Sequence, residues 1–516
     1  MKENKLSVQL CRIFSIILFG LLSCTFLCIL IFGYENLGEN AVAVKTGIIL
    51  TFALMTAIAI WGYYLFINSN NRLGKFTLNS KQTNIIIFVS VGILFLIQIF
   101  AGYELRANSV TDLKIIESYC KDFAVNGNFD LIQRDYQRGS AYLIRYPNNV
   151  PFTLLLSALY RVCYLTLGYV PKMAPIVLNC VAINLSVLFT ALTAKKLFGN
   201  KQALVTLALC MLFAPYYTYT AYYYTDSLSM PFLIGGVYLF VSAIKSENKY
   251  KRYALLLAFG GVVFLGFKMK ATVIFALICG LVYVLLKFNI KRVAAITLAV
   301  IVGFSTVGAV YSTSVNSLNL YTKEQSYECE YPFTHWIMMG LKGLGHYNLE
   351  DSKFTGSFEN KDEKQNANIR EIKNRIEDFG VKGLISHTVK KAVWMWEDGT
   401  YFISHHLEKT DNWNPLHSLV LDKGSYHNVF YIYSCGFQLF LIFMMILSAL
   451  KGCIKPKVDK TILLKGLLFS ILIFLLIWEA RSRYLYNFTP VFILLAVDGL
   501  QELENFIRNK VKSRLQ

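Results

Sequence analysis

Four clusters of reactive side chains interrupt an otherwise apolar chain. The first is RANSVTD, residues 106–112, at the head of a loop running from 104 to 149. The second is the turn Arg145-Tyr146-Pro147-Asn148-Asn149, and the third is Tyr222-Tyr223-Tyr224-Thr225-Asp226. The fourth pairs GFKMK, residues 266–270, with EARSRY, residues 479–484. Asp112 is a short carboxylate of the kind that takes a proton from a hydroxyl. Arg145, Lys268, Lys270, Arg481 and Arg483 suit a phosphate, through guanidinium forks and ammonium point charges. Asn148, Asn149 and Asp226 can hydrogen-bond a hydroxyl-rich ligand. Asp226 follows a run of aromatic and hydroxyl residues and is too short to snorkel far, so a carboxylate there points to function.

The elements that position these residues are membrane helices. The chain has 516 residues, of which 55% are hydrophobic and 16% charged, with a mean hydropathy of +0.45. A span needs about 20 apolar residues, and backbone polar groups in lipid must be satisfied within the segment. Twelve segments meet this, roughly 10–33, 46–67, 84–103, 171–194, 202–221, 226–244, 253–267, 271–286, 293–311, 428–450, 461–478 and 484–501. The first is long enough to span and has no small-residue cleavage site, so it reads as an anchor, not a removed signal peptide. The fold class expected is an all-α polytopic membrane protein with interfacial helices on its outer face.

A net charge of +19 raises the question of nucleic acid, but its distribution answers it. Basic residues gather in alternate loops: Lys2, Lys5 and Arg12; Arg72, Lys75 and Lys81; Lys195, Lys196 and Lys201; Lys245, Lys249, Lys251 and Arg252; Lys287, Lys291 and Arg292; then 451–465 and the tail from Arg508 to Arg514. Short cytoplasmic loops collect Lys and Arg. Both termini are therefore expected in the cytoplasm, with the four clusters outside. Parity decides residues 150–168, which are apolar enough to tempt a span assignment. If they crossed, every later basic loop would face outward. They read instead as an interfacial helix whose apolar face Arg161 breaks.

One polar insertion stands out, between 312 and 427. It holds all seven histidines and four of the six tryptophans, and is expected to form a small helical extracytoplasmic domain. Residues 366–379 predict a helix ended by Gly380. A second runs from Val381 to about Trp396, with Val381, Leu384, Ile385, Val389 and Val393 on one face. The histidines lack metal-ligand spacing, His405 and His406 being adjacent, so no metal site is expected. Cys120 and Cys329 alone among the cysteines fall in outer loops; a disulfide and two free thiols both remain open.

The order of these motifs resembles the GT-C superfamily of integral-membrane glycosyltransferases, which includes protein O-mannosyltransferases and aminoarabinose transferases. In that superfamily an acidic catalytic residue in the first outer loop precedes an amphipathic interfacial helix. Thr111-Asp112-Leu113, opening TDLKIIESYCKDFAVNG, matches it and gives Asp112 the catalytic position. A proline-containing motif and a second interfacial helix match RYPNNVPFTLLLSALYRV, residues 145–162. A further acidic residue matches Asp226 in YYYTD, and a late Arg-Tyr motif matches Arg483-Tyr484 in EARSRYLYNFTP. The resemblance implies two N-terminal helices (1–83), a seven-helix core (84–311), the extracytoplasmic domain (312–427) and three C-terminal helices with a cytoplasmic tail (428–516). It also implies an inverting transfer of a sugar from a polyprenyl-phosphate donor to an extracytoplasmic glycan, glycolipid or protein. Asp112 would be the base, and Arg145, Asn148, Asn149, Asp226, Lys268, Lys270, Arg481, Arg483 and Tyr484 would bind substrate. Many relatives carry a second acid beside the catalytic one, whereas Leu113 follows Asp112; a divalent ion is therefore not favoured, and no cofactor is expected. The competing readings are a lipid-linked oligosaccharide flippase, which would place its polar site near the midplane, and a polysaccharide polymerase.

Overall fold

The computed structural model describes residues 5–34, 40–68 and 79–515. The side chains of Lys2, Arg72 and Lys75, and those beyond Arg508, lie outside the described residues. Every regular element described is helical. The longer helices are α1 (Lys5–Phe32), α2 (Ala41–Asn68), α3 (Ser80–Glu104), α4 (Thr111–Asn126), α5 (Val150–Leu167), α6 (Met173–Phe198), α7 (Asn200–Leu212) and α8 (Met230–Lys245). They continue as α9 (Lys249–Met269), α10 (Ile274–Lys287), α11 (Ile290–Asn316), α12 (Lys361–Glu397), α13 (His427–Ile454), α14 (Thr461–Ile477) and α15 (Thr489–Leu515). Among the described residues, nine helices are long and apolar enough to cross a membrane, so the chain is an all-α polytopic membrane protein.

Three expected spans differ in detail. Residues 202–221 form α7 and a short helix over Pro215–Ala221, bent by 62°. The break falls where Pro215 has no N–H to offer the preceding turn. The spans expected at 271–286 and 461–478 are shorter apolar helices, Ala271–Lys287 and Thr461–Ile477.

Helix α5 also passes the length and composition test, beginning at Pro147, but its neighbours fix its sense. Lys195, near the end of α6, donates to the carbonyl and hydroxyl oxygens of Ser80, the first residue of α3, at 2.9 and 2.8 Å. At the other end, Gly102 near the close of α3 abuts Ile176 near the start of α6. The two helices are antiparallel, so the chain from 104 to 172 leaves and returns at the same end. Helix α5 packs along α4, and Arg161 is not a flaw in its face. Its guanidinium donates to the carbonyls of Ala124 and Val125, at 2.7 and 3.1 Å, where α4 runs out of partners of its own.

The insertion between α11 and α13 is docked on the bundle. Trp336 stacks on Trp478 with ring centroids 5.5 Å apart, and Trp396 packs against Phe492 at 5.4 Å. Both expected helices form, joined in α12 through a kink at Gly380, whose φ of 56° suits glycine. The apolar face is covered toward its end, where Val393 is buried, and open at its start. Val381 is 80% and Ile385 61% exposed, while His387 and Lys391 are buried. Lys391 turns inward because the carbonyls of Gly340, Leu476 and Trp478 need a donor; its ammonium reaches them at 2.9, 3.2 and 2.6 Å. Cys120 and Cys329 are both free thiols; Cys120 is fully buried beside the Thr153 carbonyl.

Candidate active site

The site is built on helix breaks at one end of the bundle. The bend after α7 leaves the carbonyls of Thr220 and Tyr222 without helical partners, while that of Tyr219 keeps a 3-10 bond from the Tyr222 N–H at 3.1 Å. Asn179, one of two amides inside apolar α6, donates to all three at 3.1, 3.2 and 2.7 Å respectively. Gln98 of α3 donates to the Tyr216 carbonyl at 2.8 Å. Tyr486, from the 3-10 segment Ser482–Phe488, stacks on Tyr219 with centroids 3.9 Å apart. These contacts fix the 213–224 segment, and with it the tyrosines and Asp226.

Asp226 is buried and lies between two cations. Lys270, in the turn after α9, is ion-paired to it, and the Arg483 guanidinium stands 4.0 Å from its second oxygen. Arg483 also donates to the Tyr222 hydroxyl at 2.9 Å, and its head lies 5.4 and 5.0 Å from the Tyr224 and Tyr484 ring centroids. Lys270 sits 5.0 Å from the Tyr484 ring. Tyr484 donates to Glu479 at 3.0 Å. Burial lifts the Glu479 carboxyl above the usual range, against the pull of Arg483, Tyr484 and Arg481. Burial likewise lowers the Lys270 ammonium despite Asp226 beside it.

Across this basin stands Asp112, half-buried in the first turn of α4. Its negative field reaches Tyr222, Tyr224 and Glu479. Burial raises the Tyr142 phenol well above its ordinary value, with Tyr224 and Asp112 adding to the effect. The preceding residue, Thr111, has a φ of 49°, a strained state for a β-branched residue that costs on the order of 1–3 kcal/mol and collects at functional sites. Asn149 lies between the two sides: its amide donates to the Tyr142 hydroxyl at 2.9 Å, and its oxygen accepts from Tyr224 at 3.3 Å.

The structure thus brings Asp112, Asn149, Asp226, Lys270, Arg483 and Tyr484 together. Asn148 is exposed and touches the group only through Asn149, at 3.4 Å. Three cations stand apart. Lys268 lies among the Phe264, Phe267 and Tyr311 rings, at 5.7, 5.9 and 5.6 Å. Arg481 lies over Phe402 at 4.3 Å, at the rim. Arg145 points away, 5.3 Å from the Tyr331 ring, into a cavity of about 630 Å³ under the insertion. Among the described residues, no group of three His, Cys, Asp or Glu side chains is placed to hold a metal ion.

Sequence reasoning missed four contributors. Tyr142 and Asn179 are described above. Glu117 of α4 accepts from Tyr160 at 2.9 Å and from Tyr223, tying the tyrosine run to α4. His406, which the sequence marked only as packing, stacks flat on Tyr222 at 3.8 Å and seals the basin from the insertion side. Only Asn179 carried a readable signal, as one of two amides, with Asn184, in an apolar run.

A family model described as conserved hypothetical integral membrane protein matches residues 7–502. No curated protein sequence matches the chain. Among solved structures, the oligosaccharyltransferase AglB from Archaeoglobus fulgidus, solved with an inhibitory peptide and a dolichol-phosphate, aligns over 80% of this chain and 50% of its own. The identity is 11% and the TM-score 0.43. The chain therefore spans half the length of that protein. ArnT from Cupriavidus metallidurans, bound to undecaprenyl phosphate, aligns over 82% of this chain and 78% of its own, with 10% identity and a TM-score of 0.35.

Proposed function

The chain belongs to this conserved family of integral membrane proteins, and on that premise we propose that it is an inverting GT-C-type glycosyltransferase using a polyprenyl-phosphate sugar. The observation that carries the reading is the division of the basin. A half-buried carboxylate, Asp112, and a partly buried cation, Arg483, both act on Tyr222 and Tyr224, and Lys270 joins Arg483 at Asp226. An in-line displacement at an anomeric carbon needs this division.

In the proposed step the acceptor hydroxyl oxygen attacks the anomeric carbon while its proton passes to the Asp112 carboxylate. General base catalysis of this kind contributes roughly 10²–10⁴ in rate. The bond from the anomeric carbon to the phosphate oxygen breaks, and its electron pair leaves with the lipid phosphate. Lys270 and Arg483 meet the charge that develops there, preset by Asp226 in a site that excludes water. Asn149 and the Tyr142, Tyr222 and Tyr224 hydroxyls would orient the sugar. The excess of Lys and Arg in the loops at the other end of the bundle supports an extracytoplasmic basin, and the acceptor would be a surface glycan, glycolipid or protein.

The test is transfer from a radiolabelled polyprenyl-phosphate hexose panel, by membranes holding wild type or Asp112→Asn. Transfer that disappears in a stably expressed Asp112→Asn supports the reading, and repeating it with a chelator tests the absence of a metal requirement. Full transfer by Asp112→Asn would remove Asp112 as base. Labelled lipid that crosses the bilayer unconsumed would replace the transferase with a flippase.

A further inference from the structure

The second large cavity has a chemistry of its own. It is open, about 630 Å³ in volume, and lies beside the segment 142–149 and the insertion helices. Two cations line it. Arg145 has no carboxylate partner among the described residues and rests only over the Tyr331 ring, at 5.3 Å. Lys364 is 3% exposed, and its ammonium is spent on a backbone oxygen, the Glu328 carbonyl, not on a carboxylate. The two lining carboxylates, Glu328 and Glu359, are exposed. Glu328 accepts from the Tyr136 hydroxyl at 2.8 Å. Positive charge lies deep and negative charge at the rim. Tyr327, Tyr331 and Phe358 supply aromatic wall, the flat, rigid surface that suits a sugar or polyol face.

The position matters as much as the charge. Arg145 ends the one-turn helix Tyr142–Arg145, whose first residue, Tyr142, faces Asp112 and Asn149. One helical turn, about 5 Å, separates the side chain that meets the base from the one that enters the cavity. The cavity therefore begins one turn from the side chain that meets Asp112, whereas Lys270 and Arg483 reach the site from other segments, the turn after α9 and the stretch Ser482–Phe488.

We propose that this cavity binds the acceptor, and that the acceptor is an anionic glycan or polyol phosphate whose charged group seats between Arg145 and Lys364. The inference rests on the transferase reading for the word acceptor, but the binding itself does not. Guanidinium–anion contacts are charge-assisted and strong, and the site's open rim admits a polymer.

The experiment measures binding of a synthetic glycerol phosphate hexamer to the full chain in nanodiscs, with no sugar donor present. Uncharged hexaglycerol and undecaprenyl phosphate serve as the other arms. The hexamer should bind, hexaglycerol should not, and Arg145→Gln should weaken the hexamer roughly tenfold or more, with Arg145→Lys recovering part of the loss. Bound hexamer should also shield Cys329, a half-buried thiol of the cavity wall, from alkylation followed by peptide mass spectrometry. Equal binding by wild type and Arg145→Gln, or no shielding of Cys329, would overturn the proposal. Displacement of the hexamer by undecaprenyl phosphate would overturn it too, assigning the cavity to the donor. Donor turnover without hexamer binding would remove the cavity alone, and hexamer binding without any donor turnover would remove the transferase reading alone.

Discussion

Replacing Asp226 by Asn tests whether the basin is an electrostatic unit. The Asp226 side chain is 1% exposed and that of Lys270 13%, so the pair belongs to the buried class, and Arg483 stands 4.0 Å away. Asp226→Asn keeps the shape but leaves two buried cations with no counter-ion. Breaking one partner of a buried pair costs about 3–5 kcal/mol, whereas replacing both by apolar groups of similar size is often near neutral. The expected order of stability is therefore wild type, then Asp226→Leu/Lys270→Met, which still costs Arg483 its carboxylate, and lowest Asp226→Asn, which strands both cations. Against a total of about 5–15 kcal/mol, the single change is easily seen in a reversible denaturant titration in mixed micelles, read by tryptophan fluorescence. A ligand that binds only the folded state at a hundred times its Kd adds about 2.7 kcal/mol. Undecaprenyl phosphate should stabilise Asp226→Asn more than wild type, because its phosphate replaces the lost negative charge. If Asp226→Asn were within about 0.5 kcal/mol of wild type, a difference typical of changes away from any such feature, the cations would not depend on it and the reasoning would fail.

Three further outcomes are expected. Asn179→Leu takes the side-chain donor from the Thr220 and Tyr222 carbonyls, and from that of Tyr219, which keeps the Tyr222 N–H; each carbonyl left unpaired costs on the order of 1 kcal/mol or more, so thermal stability should fall and transfer should slow at least tenfold. Gly303→Ala should force α9 and α11 apart, since a Cβ there would stand 2.1 Å from the Leu257 carbonyl oxygen; a cost of about 1–3 kcal/mol would appear as a lowered melting temperature, and an unchanged one would refute the close crossing. Acid should loosen the insertion. His335, buried and bonded to Thr355 at 2.8 Å, is held neutral down to about 4 by burial, against about 6.5 when unfolded. The unfolded form thus binds the extra proton between those values, so stability is full above pH 6.5 and falls toward pH 4, by up to about 3 kcal/mol at 1.36 kcal/mol per pH unit. Hydrogen exchange of residues 334–368 at pH 7 and pH 5 reads this, and His335→Gln should flatten the difference.

The membrane class and most span positions were legible because hydropathy and loop charge are local properties. So were Asp226, Lys270 and Arg483, since an ionisable residue at a span end on the less basic side invites a reason. What the sequence could not separate were cations of like type: Lys268 from Lys270, Arg481 from Arg483. Each pair is two residues apart, and the choice between aromatic packing and the Asp226 carboxylate is made by distant helices. The apolar face of α12 was legible, but not how much of it is covered. An apolar stripe shows that one side is oily, not how far the protein covers it, and the carbonyls of Gly340, Leu476 and Trp478 drew Lys391 inward close to Val393. The break after α7 went unread in the span expected over 202–221, although Pro215 marks it, and its remedy, Asn179, lies on another helix.

The proposed division of labour turns on the stretch from Tyr142 to Asn149. An inverting displacement requires base and leaving group on opposite sides of one carbon, and the acceptor must come from the base's side. Tyr142 and Asn149 lie by Asp112 and Tyr224, while Arg145, between them in sequence, looks into the cavity. The divergence of these side chains within one short segment is therefore what lets it serve both the base and an incoming anionic chain. It also explains why Arg145 does not join Lys270 and Arg483: a third cation there would strengthen the hold on the departing lipid phosphate, which must leave for turnover. On this argument, a cation moved from the cavity to the basin should tighten undecaprenyl phosphate binding while slowing steady-state transfer. A variant that tightened binding and sped transfer would show that phosphate release is not what the arrangement protects.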